Sequence, residues 1–199
     1  MICTISLIVI NVIVFVLLSF GGMTEDATYM LEHGAMYLPY FMEQGEYYRI
    51  FTSLFLHFGF EHLMSNMVVL AIMGKYLEPL VGKFRFVFIY FVSGLAGNVL
   101  SSGAELLTKD YAVSAGASGA IFGVTGALLA LAIIGRGRVG TLTKQDILVM
   151  VAVNLYIGFT SQGVDNLAHI GGLLGGMLIT FLLCPKKFVI RQNREGTLL

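Results

Sequence analysis

Three short stretches of this 199-residue chain set chemically capable side chains inside otherwise apolar runs. They are Ser114-Ala-Gly116-Ala-Ser118-Gly119-Ala-Ile-Phe122-Gly123, the group His57, His62, Ser65 and Asn66, and Asn166-Leu-Ala168-His169-Ile-Gly-Gly172-Leu-Leu-Gly-Gly176. Polar groups are costly in hydrocarbon, so these are the informative letters. A serine hydroxyl within hydrogen-bond reach of an imidazole makes a nucleophile with its general base, and Ser118 and His169 are the candidates. His62 and Asn66 stand at i and i+4, on one helix face. Both donate hydrogen bonds, and with the Ser118 backbone N–H they would form an oxyanion hole for acyl transfer. Phe122, i+4 from Ser118, would lie one turn below the hydroxyl and support the His169 ring.

Taken singly, most of these residues have plainer readings. A serine in a membrane helix fills an interhelical contact or bonds back to its own turn; Asn66 would bridge helices, His57 and His62 would sit at an aqueous edge, and Phe122 would be a core aromatic. His169 resists such a reading, being the sole ionisable side chain of its run. The pairs Gly119/Gly123, Gly171/Gly175 and Gly172/Gly176 each recur at a spacing of four and make smooth helix faces. Packing of the two helices through these faces would draw Ser118 and His169 together.

Other chemistries lack their residues. His57 to His62 reads H-x-x-x-E-H, one residue longer than the inverted zinc motif and without a third ligand, so neither metal nor cofactor is expected. Asp26, Asp110, Asp146 and Asp165 flank apolar runs instead of interrupting them, which excludes a two-aspartate mechanism. Gly116-x-Ser118-x-Ala120 lacks the second glycine of the soluble hydrolase elbow.

The elements that must position these groups are membrane helices. Hydrophobic residues make up 57% of the chain and charged ones 12%, about half the roughly 25% of a soluble domain. Runs free of charge and near the roughly 20 residues needed to span a bilayer predict an all-α, six-helix membrane domain over 1–199. Its spans fall at about 2–20, 61–80, 86–104, 114–134, 147–163 and 166–183, with an outer connection 21–60 and a tail 184–199. The second is the least regular: its apolar stretch begins at Ile50 and is interrupted by Glu61. Tyr37, Tyr40, Phe41, Tyr47 and Tyr48 suit the outer connection to the headgroup zone. The zero net charge gives no field for nucleic acid, so the expected partners are lipids and membrane proteins. Cys3 and Cys184 make no disulfide framework or zinc site.

Lysine and arginine avoid translocated loops. Ten of the twelve fall on one side of the expected spans: Lys75, Lys83, Arg85, Arg136, Arg138, Lys144, Lys186, Lys187, Arg191 and Arg194. Only Arg49 and Lys109 fall on the other. The expected protein is multi-pass, in the plasma membrane, with both termini cytoplasmic and the Ser, His and Asn groups toward the outer face.

These residues resemble the rhomboid intramembrane serine proteases. The likeness rests on Gly116-Ala-Ser118-Gly119, on His57-x-x-x-x-His62-x-x-x-Asn66, and on Ala168-His169-x-x-Gly172-x-x-x-Gly176, in that family's order. It implies a six-helix core with Ser118 as nucleophile and His169 as base. It further implies His62, Asn66 and the Ser118 N–H as oxyanion donors, and single-pass membrane proteins as substrates that enter sideways past the fifth span. Two positions depart from the common pattern: Tyr48-Arg49 stands where many relatives have Trp-Arg, and Phe122 where many have Tyr. Three other readings stay open, one of them a structural membrane scaffold, which would need no converging Ser, His and Asn. A non-catalytic rhomboid-like client-binding protein would usually lack the serine or the histidine, and a small transporter would show midplane charge or paired broken helices.

The charge asymmetry makes a direct prediction. Reporter tags at either terminus should be shielded from reagents added outside intact cells, and one inserted near Glu32 should be reached. External access to the terminal tags would reverse the orientation.

Overall fold

The computed structural model describes residues 1–185 except Arg136, Gly140, Ser161 and Gln162. Arg136 and the tail cations Lys186, Lys187, Arg191 and Arg194 therefore lie outside the described residues. The chain is mostly helical. Among the described residues, six longer helices overlap the apolar segments: α1 (Ile2–Gly21), α5 (Gly59–Val81), α6 (Lys83–Thr108), α7 (Ser118–Ile134), α8 (Lys144–Thr160) and α9 (Asn166–Leu183). Short helices α2 (Ala27–Glu32), α3 (Leu38–Glu43) and α4 (Arg49–Thr52), with a 3-10 turn at Ser53–Phe55, lie in the connection between α1 and α5. A two-residue hairpin, β1 (Arg138–Val139) with β2 (Leu142–Thr143), joins α7 to α8.

Helices α1, α6 and α9 are long and apolar enough to cross a membrane. A fourth qualifies if Arg49–Phe55 and Gly59–Val81, bent by 88°, count as one broken span. The apolar α7 has 17 residues, about 26 Å at 1.5 Å per residue. It is the centre of the molecule, buried from Gly119 through Ala132. By contrast α1 exposes Ile5, Val9, Ile13, Leu17 and Phe20, the pattern of a helix that meets lipid on most of its circumference.

Local chemistry accounts for several boundaries. Asp26 caps α2 by accepting the Tyr29 N–H at 2.8 Å, and Pro39 opens α3, where its missing N–H costs nothing. Gly82, at φ +81°, alone separates α5 from α6. Helix α1 has no side-chain cap of its own. The buried Glu78 of α5 serves instead, accepting the N–H groups of Cys3 and Thr4 at 3.0 and 2.8 Å and the Thr4 hydroxyl at 2.7 Å. Orphan donors at a helix start must find partners, and here a neighbouring helix supplies them.

The segment expected to be one span over 114–134 differs from that expectation. Residues up to Gly116 are not helical, and α7 begins only at Ser118. Ser114 is paired with Met36 as an antiparallel bridge, with N–H to O distances of 2.8 and 2.9 Å, and Gly116 sits at φ +145°, far from helical values. Small apolar residues satisfy hydropathy in either conformation, so composition does not reveal the break. Helix α8 likewise runs over 144–160, earlier than the expected 147–163.

Helix α9 packs through glycine on two sides. A Cβ at Gly172 would fall onto the Gly119 carbonyl, and one at Gly176 onto the Gly123 carbonyl, both on α7. The other two glycines face α6: a Cβ at Gly171 would lie 2.8 Å from the Ala96 oxygen, and one at Gly175 2.7 Å from the Ala96 Cβ. Lipid tails offer no hydrophobic drive between helices, so such backbone contact is what holds them. Gly172→Ala should therefore force α7 and α9 apart and lower stability by about 1–3 kcal/mol. Gly103→Ala on α6, where a Cβ meets open space, should be neutral or gain up to about 1 kcal/mol. Thermal unfolding in detergent micelles reads both, and equal effects would show that the seam is not close-packed.

Candidate active site

Ser118 is the first residue of α7 and His169 the fourth of α9. The Ser118 Oγ lies 2.9 Å from His169 Nε2, hydrogen-bond distance for a hydroxyl donating to an unprotonated ring nitrogen. The glycine seam produces this approach, because Gly119, next to Ser118, meets Gly172, three residues beyond His169. His169 is buried, and its Nδ1 has no hydrogen-bond partner among the described residues. Its ring is held by stacking: the Phe122 ring lies parallel to it, centroids 4.3 Å apart at an interplanar angle of 14°. Phe122, one turn beyond Ser118, therefore lies flat against the His169 ring.

His62 presents an edge to the same place. Its Nδ1 accepts the Phe58 N–H at 3.3 Å, which assigns the ring proton to Nε2. That nitrogen faces Gly116: a Cβ there would stand 3.0 Å from His62 Nε2 and 3.6 Å from Ser118 Oγ. Glycine at 116 therefore serves twice, for its φ and for the room it leaves between imidazole and hydroxyl. The backbone N–H of Ser118, in the first turn of α7, belongs to the donors that a helix leaves unsatisfied.

Asn66 is buried on α5, one turn beyond His62, and its amide donates to the His62 carbonyl at 2.8 Å. One of its two N–H groups is thus spent on its own helix. His57 is not at the hydroxyl. Its Nε2 accepts the Ala117 N–H at 3.4 Å and its ring meets His62 edge-on at 5.2 Å, so it holds the residue just before Ser118. Arg49 lies apart from the pair. Buried between the rings of Tyr40 and Tyr48, it donates to the Leu31 and Ala35 carbonyls at 2.6 and 2.8 Å and pairs with Glu46. It fastens the segment whose Met36 bridges to Ser114.

Two residues not singled out from the sequence also hold the site. Asn98 of α6 donates to the Ile50 carbonyl at 2.8 Å and to the Ser53 hydroxyl at 3.0 Å, and the Ser53 carbonyl accepts the Gly116 N–H at 2.9 Å. The available signal was a polar residue in mid-run, the same cost that marked Asn66. No group of three or more His, Cys, Asp or Glu able to hold a metal occurs among the described residues.

Comparison with known proteins bears on this geometry. A rhomboid domain is recognised over residues 44–186, a range that includes the hydroxyl, both imidazoles beside it and the glycine seam. The chain is 36% identical over 169 residues to the rhomboid protease GluP of Bacillus subtilis (strain 168), covering 85% of this chain and 32% of GluP. YdcA of the same organism is 36% identical over 143 residues, 72% of this chain and 70% of YdcA. RHOMBOID-like protein 7 of Arabidopsis thaliana is 40% identical over 152 residues, 75% of this chain and 47% of that protein. The chain thus spans about a third of GluP and less than half of the plant protein, but most of YdcA. With a domain match over most of its length and a helical architecture suited to a bilayer, the chain belongs to the rhomboid family of integral membrane proteins.

Proposed function

We propose that this chain is an intramembrane serine endopeptidase that cuts single-pass membrane proteins near the outer membrane face. The observation that carries the reading is the 2.9 Å contact between Ser118 Oγ and His169 Nε2. Ser118 attacks a peptide carbonyl of the substrate while His169 takes the hydroxyl proton at Nε2, later returning it to the leaving amine. Water then hydrolyses the acyl-enzyme. The negative oxygen of the tetrahedral intermediate is met by the His62 Nε2–H, the Ser118 backbone N–H and the second N–H of Asn66. In this reading the six longer helices all span the plasma membrane with both termini in the cytoplasm. Substrates enter sideways from lipid past α8.

Labelling by a fluorophosphonate tests the assignment. Wild type should be marked at Ser118, and Ser118→Ala and His169→Ala should each abolish both labelling and cleavage while the protein still accumulates folded. The double variant should be hardly worse than either single one, since the two act as a unit; losses that multiply would argue against a shared proton transfer. A chain that stays unlabelled would favour a non-catalytic client-binding role.

The substrate helix presents its own obstacle. Its carbonyls are engaged in helical hydrogen bonds, so the segment must unwind before Ser118 can reach one, and unwinding in lipid is expensive. Gly or Pro near the outer end lowers that cost, and the room beside Gly116 and Gly119 suits a small residue at the scissile position. Changing an outer-end Gly pair of a single-pass substrate to Leu-Leu should sharply reduce initial cleavage in liposomes. Equal rates at equal binding would show that unwinding does not control selection.

A further inference from the structure

Asp165 takes no part in the chemistry above, yet its carboxylate bonds to α9, to the segment that precedes α7 and to α6. Its Oδ1 accepts the Ala168 N–H at 2.9 Å and so caps α9 one residue before His169. Its Oδ2 accepts the Ser114 hydroxyl at 3.0 Å and the Ser101 hydroxyl at 2.7 Å. Ser114 lies on the non-helical segment that leads into Ser118, and Ser101 on α6. Three donors occupy most of the four or so acceptor positions of a carboxylate, and bonds to an ionised acceptor are roughly twice as strong as neutral ones.

A catalytic triad fixes its histidine with a carboxylate on Nδ1. In this chain Nδ1 of His169 has no such partner among the described residues, so the ring's place depends on Phe122 and on where α9 begins. We propose that Asp165 is the positioning residue of the Ser118 and His169 pair, tying the start of α9 to the Ser114 segment and to α6 and thereby setting the hydroxyl-to-imidazole distance. It acts through the backbone and not on the ring. The inference rests on the proteolytic reading above.

Capping and tying are separable. Serine is a good helix cap but has a single short-armed oxygen that cannot also span to Ser101 and Ser114. In the full chain reconstituted in liposomes, Asp165→Ser and the double variant Ser101→Ala/Ser114→Ala should both lower kcat for a single-pass substrate about 10- to 100-fold, the scale of a small misplacement of reacting groups. KM should stay within about twofold, fluorophosphonate labelling of Ser118 should slow by a similar factor to kcat, and the thermal midpoint should move little. Asp165→Asn, which still accepts at one oxygen and donates to a serine oxygen, should recover much of the loss. Hydrogen exchange over residues 112–118 and 166–169 should quicken in Asp165→Ser. Wild-type kcat and labelling in Asp165→Ser, or losses confined to KM or tracking the thermal midpoint, would overturn the proposal. Should wild type itself prove unlabelled, the proteolytic reading falls, and unchanged exchange at both segments would then dispose of the tie as well.

Discussion

Everything at this site depends on two helices touching backbone to backbone. Ser118 and His169 are short of reach: a serine hydroxyl stands one bond beyond Cβ, and helices packed through ordinary side chains run 8–10 Å apart. The hydroxyl and the ring meet at 2.9 Å because Gly119 and Gly123 offer their carbonyls where Gly172 and Gly176 have no side chain. In water such a seam would be one contribution among many. In lipid, where apolar burial between helices gains little, close packing of small residues is the main adhesive. The force that assembles the membrane domain and the geometry of the hydroxyl and imidazole are therefore the same contact.

The second layer of support comes from outside the bundle. Ser114, Gly116 and Ala117 are each hydrogen-bonded to a different part of the connection between α1 and α5: to Met36, to Ser53 and to His57. A buried non-helical segment must have its backbone groups satisfied by protein, and Met36, Ser53 and His57 are those partners. Arg49 and Asn98 hold the partners in turn, one through the Leu31 and Ala35 carbonyls and the other through Ile50 and Ser53. The Tyr48 ring lies against the Arg49 guanidinium, 5.5 Å from centroid to Cζ, so the aromatic neighbour serves the cation.

What could be read from the sequence follows from which signals are local. Ser118 and His169 stood out because a polar letter in an apolar run has few innocent explanations, and glycines four apart report a packing face without any knowledge of the partner. The i+4 rule put Phe122 under the hydroxyl, where it stacks on the ring. The same rule put Asn66 beside His62 but could not distinguish a side chain aimed into the site from one that bonds back to the His62 carbonyl, and the amide does the latter with one N–H. The non-helical segment before Ser118 was illegible because its conformation is imposed by Met36, a residue far upstream, while Val113, Ala115 and Ala117 suit helix and strand alike. Asn98 carried the same polar-in-lipid signal as Asn66 but lacked a histidine one turn away to draw attention to it.

The two glycine faces of α9 also bear on how such a chain can change over generations. Gly171 and Gly175 are committed to α6, Gly172 and Gly176 to α7. Inserting one residue between His169 and Gly172 would turn everything beyond it by about 100° and set Leu174 where Gly175 meets α6, whereas deleting one would set Leu173 and Met177 where Gly172 and Gly176 meet α7. The histidine and its glycine ladder are thus locked in phase, open to drift by substitution but closed to insertion and deletion, and variation in length is left to the connections between helices.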